Sequence, residues 1–236
     1  MLEFSDVHRM LLSELVWPPG TPRAGQTIPV YAFAIDHPRG LILMDTGVGE
    51  GSEEVDREWQ PRRFPLDDAL AAIGRGRADV EGIVVCHLHF DHCGQDSFFT
   101  GVPIYVQRAE RDAARQPDYT VPEWVEFPGA AYELLNGDAE PWPGVHVLST
   151  PGHTPGHQSV IVETDRGRVL LTGQAVYSLA EFEGREPLEG TDAAYARSVE
   201  RLRSLRPRWV YASHDGRLGH ARPSPPRRTR VAPRAR

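Results

Sequence analysis

The sequence contains no lysine, so arginine supplies all 26 strongly basic side chains, an absence that we attribute to coding bias. It has only two cysteines, Cys86 and Cys93, too few for the disulfide framework of a small secreted domain. No apolar stretch approaches the roughly 20 residues of a membrane-spanning helix, and residues 1–6 lack the basic and apolar regions of a signal peptide. We therefore expect a cytoplasmic protein with no membrane partner and with buried, unpaired thiols.

Length and charge define the expected organisation. The chain has 236 residues, enough for one sizeable two-layer domain. Its net charge is −7 although residues 221–236 hold six arginines and no acid, so the preceding body is strongly acidic. An acidic body argues against nucleic acid as the main partner. We expect a domain over residues 1–220, followed by a proline- and arginine-rich tail at 221–236 that is disordered.

Strands alternate with helices along the chain. Helices are predicted at 65–73, where proline and acidic residues form the first turn, at 108–115, and from Thr191-Asp192 onward. Residues 116–143, rich in proline, tryptophan and acids, are predicted to form an irregular lid with at most short helices. Apolar runs predict strands at residues 28–35, 40–44, 82–86, 102–107, 145–148, 158–163, 168–172 and 209–211.

The segment His87-Leu88-His89-Phe90-Asp91-His92 carries three imidazoles and one carboxylate within six residues. It follows the predicted strand 82–86 and precedes a turn at Cys93-Gly94, which places it on a loop. Neutral imidazole and carboxylate are the zinc ligands used when thiolates are absent. The spacing allows the first two histidines to reach one ion while Asp91 and His92 reach a neighbouring ion. The alternative is a polar loop with chance histidines.

Two later histidines argue against chance, because each also follows a predicted strand. His153 lies just after strand 145–148, and His214 lies just after strand 209–211. A catalytic metal site needs ligands from several elements and an open position for water. A three-imidazole site of this kind can lower the pKa of bound water to about 7, which yields hydroxide at neutral pH. The predicted ligand sets are His87, His89 and His153 for one ion, and Asp91, His92 and His214 for the other.

These motifs resemble the metallo-β-lactamase fold superfamily, and most closely the N-acyl homoserine lactonases, the quorum-quenching enzymes. The resemblance implies an α/β fold, an αββα sandwich of two mixed β-sheets with outer helices. It also implies a zinc-dependent hydrolase that opens a small-molecule lactone or ester with metal-bound hydroxide. Other hydrolases share parts of the pattern, so a thioesterase or a secondary-metabolite tailoring enzyme is the alternative. The matching segments are Asp45-Thr46-Gly47, His87 to His92, Thr150 to His157, Gly173 to Tyr177, and His214.

The resemblance also implies roles for single residues. Tyr177 would hydrogen-bond the carbonyl oxygen as charge develops, although an ordinary half-buried aromatic is the alternative. Asp91 would protonate the leaving alkoxide as well as bind metal, and Phe90 would pack beneath the substrate or the site. Asp45 and His157 are interpreted as braces of the site rather than ligands. The oligomeric state is left open.

One position departs from the family pattern. Related enzymes carry an aspartate that bridges two metal ions, whereas this chain has Gln174 between matching neighbours Gly173 and Ala175. Glutamine offers one carbonyl oxygen but lacks the charge that helps to hold two dications roughly 3.5–4 Å apart. We therefore expect one tightly bound zinc ion and a weakened second site that includes Gln174. A metal-binding relative with impaired catalysis is a further alternative.

Overall fold

The computed structural model describes residues 1–190 and 192–220, so Thr191 and the predicted tail at 221–236 lie outside the described residues. The described strands form two mixed sheets. The strands are β1 (Val7–Val16), β2 (Thr27–His37), β3 (Gly40–Met44), β4 (Arg62–Arg63), β5 (Val80–Val84), β6 (Pro103–Gln107), β7 (Ala131–Leu135), β8 (Ala139–Trp142), β9 (Val145–Ser149), β10 (Gln158–Thr164), β11 (Gly167–Leu171), β12 (Trp209–Tyr211) and β13 (Gly219–His220). The helices are α1 (Glu53–Trp59), α2 (Leu66–Ala72), α3 (Phe90–Cys93), α4 (Arg108–Ala113), α5 (Pro122–Val125), α6 (Leu179–Phe182) and α7 (Ala193–Ser204), with 3-10 turns at Phe4–Asp6, Arg77–Asp79 and Asp96–Phe98.

Each sheet combines parallel and antiparallel pairs. The first has the order β4-β1-β2-β3-β5-β6-β7, and β3, β5, β6 and β7 run parallel to one another. The second has the order β13-β12-β11-β10-β9-β8, in which only β11 and β12 form a parallel pair. The predicted sandwich of two mixed sheets is confirmed.

Three apolar layers hold the sandwich together. Between the sheets, Phe33 and Val84 of the first sheet share a buried cluster with Val160 of the second. Outside the first sheet, Leu70 of α2 is buried against it, and outside the second sheet Leu202 of α7 is buried in the same way. Central strands are therefore covered on both faces, which explains why they appear in the sequence as continuous apolar runs.

The region 116–143 is more regular than predicted, and the prediction of an irregular lid was wrong. It contains the short helix α5 and two strands, of which β7 pairs in parallel with β6 as the edge of the first sheet. The side chains of β7 are half-buried or exposed, so this strand lacks the apolar run of a central strand. The strand β1 is likewise absent from the predicted set, although it pairs with β2 over nine positions. Within residues 1–190 and 192–220, no helix is both long and apolar enough to cross a membrane.

A close backbone contact at Gly94 fixes the histidine cluster against the loop that follows β3. The amide of Gly94 donates to the carbonyl of Gly47 at 2.8 Å. A Cβ atom at position 94 would lie only 1.9 Å from the backbone nitrogen of Gly49. Gly94 has an ordinary helical φ of −65°, so crowding alone forbids a side chain there.

Gly94→Ala should therefore destabilise the fold by about 1–3 kcal/mol or more, the usual cost of overpacking. Gly76→Ala is the matched control, because Gly76 has an extended φ of −140° and its Cβ would meet nothing closer than 4.0 Å. That change should stay within about 0.5 kcal/mol. Urea unfolding of both variants checks the contrast, and equal stabilities would contradict the packing argument.

Candidate metal centre

The predicted ligands all lie just beyond the carboxyl ends of strands, on one edge of the sandwich. His87 to His92 follow β5, His153 follows β9, Gln174 follows β11, and His214 follows β12. Strand β5 belongs to the first sheet and β9, β11 and β12 belong to the second, so the edge collects side chains from both layers. Loops at the ends of rigid strands are a common position for functional side chains in α/β proteins.

Three imidazole nitrogens converge at the first half of the centre. His87 Nε2 lies 3.0 Å from His89 Nδ1 and 3.1 Å from His153 Nε2, and the third separation is 3.2 Å. Burial lowers the pKa of His89 to about 4 and that of His153 to about 2, and it places the pKa of His87 well below its ordinary value. All three rings are therefore neutral at pH 7, and their lone pairs face a common point.

This triangle fits a tetrahedral zinc ion. Zinc–nitrogen bonds of about 2.0–2.1 Å in tetrahedral geometry separate the ligand nitrogens by about 3.3 Å. The observed separations of 3.0–3.2 Å are close to that value. Neutral imidazole is also the protonation state that zinc requires.

The second half of the centre surrounds Asp91. Its Oδ2 lies 3.4 Å from His92 Nε2 and 3.6 Å from His214 Nε2. Within the described residues, three atoms here are buried and make no hydrogen bond: His92 Nε2, His214 Nε2 and Gln174 Oε1. A buried polar atom without a partner costs about 1–3 kcal/mol, so three such atoms around one pocket fit a bound cation.

The electrostatics of this half also favour positive charge. Burial alone would lower the pKa of His92, but the carboxylates of Asp91 and Asp45 raise it well above its ordinary value. Burial opposes ionisation of Asp91, yet the neighbouring imidazoles hold its pKa below its usual range. Burial lowers the pKa of His214 to about 4, against the opposing effect of Asp91. The lone pair of His214 therefore stays available at neutral pH.

Hydrogen bonds on the far side of the rings orient these two histidines. His92 Nδ1 lies 2.8 Å from Asp45 Oδ2, and His214 Nδ1 lies 2.9 Å from the carbonyl of Pro29. Both contacts require a proton on Nδ1, and they turn Nε2 of each ring toward the site. Asp45 has a left-handed φ of 67°, and its Oδ1 accepts from the amide of Cys86 at 2.7 Å. These bonds place Asp45 behind the ring of His92, on the side away from the pocket.

His157 also lies behind the predicted ligands. The amide of Gln174 donates to His157 Nε2 at 3.0 Å, so that nitrogen carries no proton. The proton is then on Nδ1, which donates to Thr150 Oγ1 at 2.9 Å. Burial lowers the pKa of His157 to about 3, in agreement with a neutral ring. Both nitrogens are engaged, and His157 supports the backbone of Gln174 instead of facing the pocket.

Cys86 and Glu110 also contribute to the site, although the sequence analysis assigned neither of them a role there. Cys86 is an unpaired, buried thiol whose Sγ lies 3.0 Å from Asp45 Oδ2 and 3.1 Å from His87 Nδ1. Burial and the charge of Asp45 raise the pKa of this thiol, so it stays protonated and donates to Asp45. Glu110 lies fully buried beneath the histidine loops. Cys93 is buried and unpaired as well, so the prediction for both thiols is confirmed.

An aromatic pocket of about 210 Å³ opens onto both halves of the centre. The ring of Trp59 packs against Phe90 at 5.2 Å, and Tyr177 stacks on His214 at 5.6 Å with an interplanar angle of 24°. Trp17 lies 6.2 Å from Tyr177 and extends the same wall. The pocket thus places one phenol hydroxyl and an apolar wall beside the imidazoles.

Comparisons with known proteins agree with this geometry. The sequence model of the Metallo-beta-lactamase superfamily matches residues 25–214. An N-acyl homoserine lactonase from a Bacillus species is 36% identical over 219 residues, which cover 87% of this chain and 84% of that protein. The lactonase AttM of Rhizobium radiobacter is 32% identical over 228 residues, covering 84% of this chain and 83% of that one.

Solved structures show the same relationship. An AiiA variant from B. thuringiensis with N-decanoyl-L-homoserine at its active site superposes with a TM-score of 0.79 at 30% identity, over 91% of this chain and 94% of that one. An N-acyl homoserine lactone hydrolase with N-hexanoyl-L-homoserine at its catalytic metal centre gives 0.77 at 30% identity, over the same shares of the two chains. The chain therefore belongs to the metallo-beta-lactamase superfamily and, within it, to the N-acyl homoserine lactonase family of metal-dependent hydrolases.

Proposed function

We propose that this protein is a quorum-quenching enzyme that hydrolyses N-acyl homoserine lactones. Water would add to the lactone carbonyl, the ring C–O bond would break, and the released alkoxide would gain a proton to give the N-acyl homoserine. The observation that carries the proposal is the triangle of neutral imidazoles beside Asp91, at the floor of an aromatic pocket. Two solved relatives hold N-acyl homoserines at their active sites, which supports the substrate class.

The proposed metal is zinc, because three converging imidazoles with an open fourth position match the usual donor set of a catalytic zinc ion. Zinc bound here would act as a Lewis acid and would lower the pKa of bound water to about 7. The proposed ligands are His87, His89 and His153 at the tighter site, and Asp91, His92, His214 and Gln174 at the weaker one.

Two side chains would handle the reacting oxygen atoms. Burial raises the pKa of Tyr177, so its hydroxyl stays protonated and would donate to the carbonyl oxygen as negative charge develops. Asp91 is ionised, and its carboxylate would take the proton released by the attacking water and pass it to the departing alkoxide. The rings of Trp17, Trp59 and Phe90 would bury the acyl chain and exclude water from the pocket.

We also propose a cytoplasmic location. The support is that Cys86 and Cys93 are both buried and unpaired, as is usual in a reducing compartment. Fractionation of cells that produce the protein would test this, and recovery outside the cytoplasm would contradict it.

The first test of the proposed function is metal content together with substrate range. Purified protein should carry zinc by elemental analysis, should open N-acyl homoserine lactones, and should lose activity to a chelator and regain it on addition of zinc. A panel of simple esters and thioesters is the control. Protein without a transition metal whose activity resists chelators would contradict the proposal, as would turnover of thioesters but not lactones.

The second test concerns Gln174. Asp91 is the only proposed ligand with a negative charge, so a second dication lacks compensating charge. Gln174→Asp should raise occupancy from about one zinc per chain toward two and should increase lactone turnover. Gln174→Asn is the matched control, since asparagine has the length of aspartate without its charge. If wild type already holds two ions tightly, or if both variants behave alike, the charge argument is wrong.

The third test concerns Tyr177. Tyr177→Phe removes the proposed donor to the carbonyl oxygen and should lower kcat by about 10²–10³-fold, with zinc content unchanged. Tyr195→Phe is the control, because the buried Tyr195 hydroxyl makes no hydrogen bond within the described residues. If the Tyr177→Phe variant keeps the wild-type kcat, Tyr177 is a packing residue and not a donor to the carbonyl oxygen.

A further inference from the structure

Glu110, on α4, is a fully buried carboxylate whose two oxygens each accept two hydrogen bonds. Oε1 accepts from the amide of Leu88 at 2.9 Å and from the hydroxyl of Tyr119. Oε2 accepts from Thr154 Oγ1 at 2.6 Å and from the amide of Gly156 at 3.1 Å. No arginine, histidine or N-terminal amine of the described residues forms an ion pair with it, so these four donors alone stabilise the buried charge.

The four donors belong to the surroundings of the three-imidazole site. Leu88 lies between His87 and His89 in the chain, and Thr154 directly follows His153. The amide of Leu88 therefore ties Glu110 to the loop after β5, and the donors of Thr154 and Gly156 tie it to the loop after β9. One side chain spans two loops that come from different sheets.

The second loop also packs directly on α4. A Cβ atom at Gly156 would lie 2.2 Å from the backbone nitrogen of Glu110 and 2.6 Å from its Cα. The loop therefore touches the helix backbone, and only glycine allows this approach. Movement of the Glu110 carboxylate would be transmitted to this loop, because there is no gap to absorb it.

The donor set requires a carboxylate and not merely a polar group. The amides of Leu88 and Gly156 can only donate, and each points at a different oxygen of Glu110. Glutamine has almost the same shape, but its NH2 group would face one of these two amides as a second donor. That contact would be repulsive, and one buried amide would lose its acceptor.

We propose that Glu110 is a positioning residue for the first zinc ion. Its carboxylate sets the distance between the loop that carries His87 and His89 and the loop that carries His153. It thereby sets the 3.1 Å and 3.2 Å separations of His153 Nε2 from the nitrogens of His87 and His89. This inference rests on the zinc centre proposed above, and it assigns Glu110 no contact with substrate or metal.

The test compares Glu110→Gln with wild type by zinc affinity and by cobalt(II) absorption. Competition with a chromophoric chelator should show zinc bound about 10–100-fold more weakly at the three-imidazole site, the usual effect of losing a residue that orients ligands. Cobalt(II) absorption, which reports coordination geometry, should change as well. Tyr119→Phe is the matched control: it removes one donor but leaves both oxygens as acceptors, and its zinc affinity should stay near that of wild type.

A second pair of variants serves if Glu110→Gln does not fold. Thr154→Val keeps the carboxylate and removes one bond to the His153 loop, so it should weaken zinc binding, whereas Thr154→Ser should restore it. Lower stability of Glu110→Gln with unchanged zinc affinity and cobalt spectrum would overturn the proposal and leave Glu110 a purely structural residue. Wild type that binds no zinc would instead overturn the proposed function, so the two failures are distinct.

Discussion

The centre depends on burial that keeps four of its five imidazoles uncharged, because a histidine nitrogen offers its lone pair only when it carries no proton. Burial lowers the pKa of His153 to about 2 and that of His214 to about 4. The same burial leaves polar atoms such as His214 Nε2 and Gln174 Oε1 without hydrogen-bond partners in the described structure. Burial of these polar atoms without hydrogen-bond partners costs free energy, and a bound cation would remove that cost. The rest of the architecture prevents these side chains from turning toward other donors.

Polar contacts between the two sheets provide that rigidity. Gln158, on β10 of the second sheet, donates through Nε2 to the carbonyls of Val85 at 2.8 Å and Tyr105 at 2.9 Å, both from the first sheet. Gln107 of β6 donates to Gln158 Oε1 at 2.9 Å and completes the link. Gln158 directly follows His157, and Val85 lies two residues before His87. These bonds therefore connect the two sheets close to the site. The apolar core alone would not define the relative position of the sheets so closely, since dispersion contacts have no direction.

Residues of the centre can be predicted from the sequence where they form a local motif or follow an apolar strand. Residues that reach the centre only through contacts distant in the chain cannot. His87 to His92 form a local motif, and His153 and His214 follow apolar strands, so their common edge could be predicted from strand order. Glu110 gives no such signal. It lies in the first turn of a short helix, where a glutamate is unremarkable, and its bonds to Thr154 and Gly156 span 44 and 46 residues. One hint exists, because Ala113 is buried three residues later on the same helix, so Glu110 occupies the inward face. The half-exposed strand β7 escaped prediction for the opposite reason, since exposure removes the apolar pattern.

Gln174 changes the charge balance of the pocket in the absence of metal as well as in its presence. Asp91 and Asp45 already place two carboxylates around His92, and together they raise its pKa well above the ordinary value. An aspartate at position 174 would add a third buried acid to this pocket, with no further imidazolium to offset it, and burial of an unpaired charge is expensive. Glutamine avoids that cost, and its backbone amide still donates to His157 Nε2 at 3.0 Å. In the proposed two-ion centre, glutamine at position 174 would therefore lower the affinity for the second ion and increase the stability of the metal-free protein. The three imidazoles proposed for the first ion would not be altered by this position.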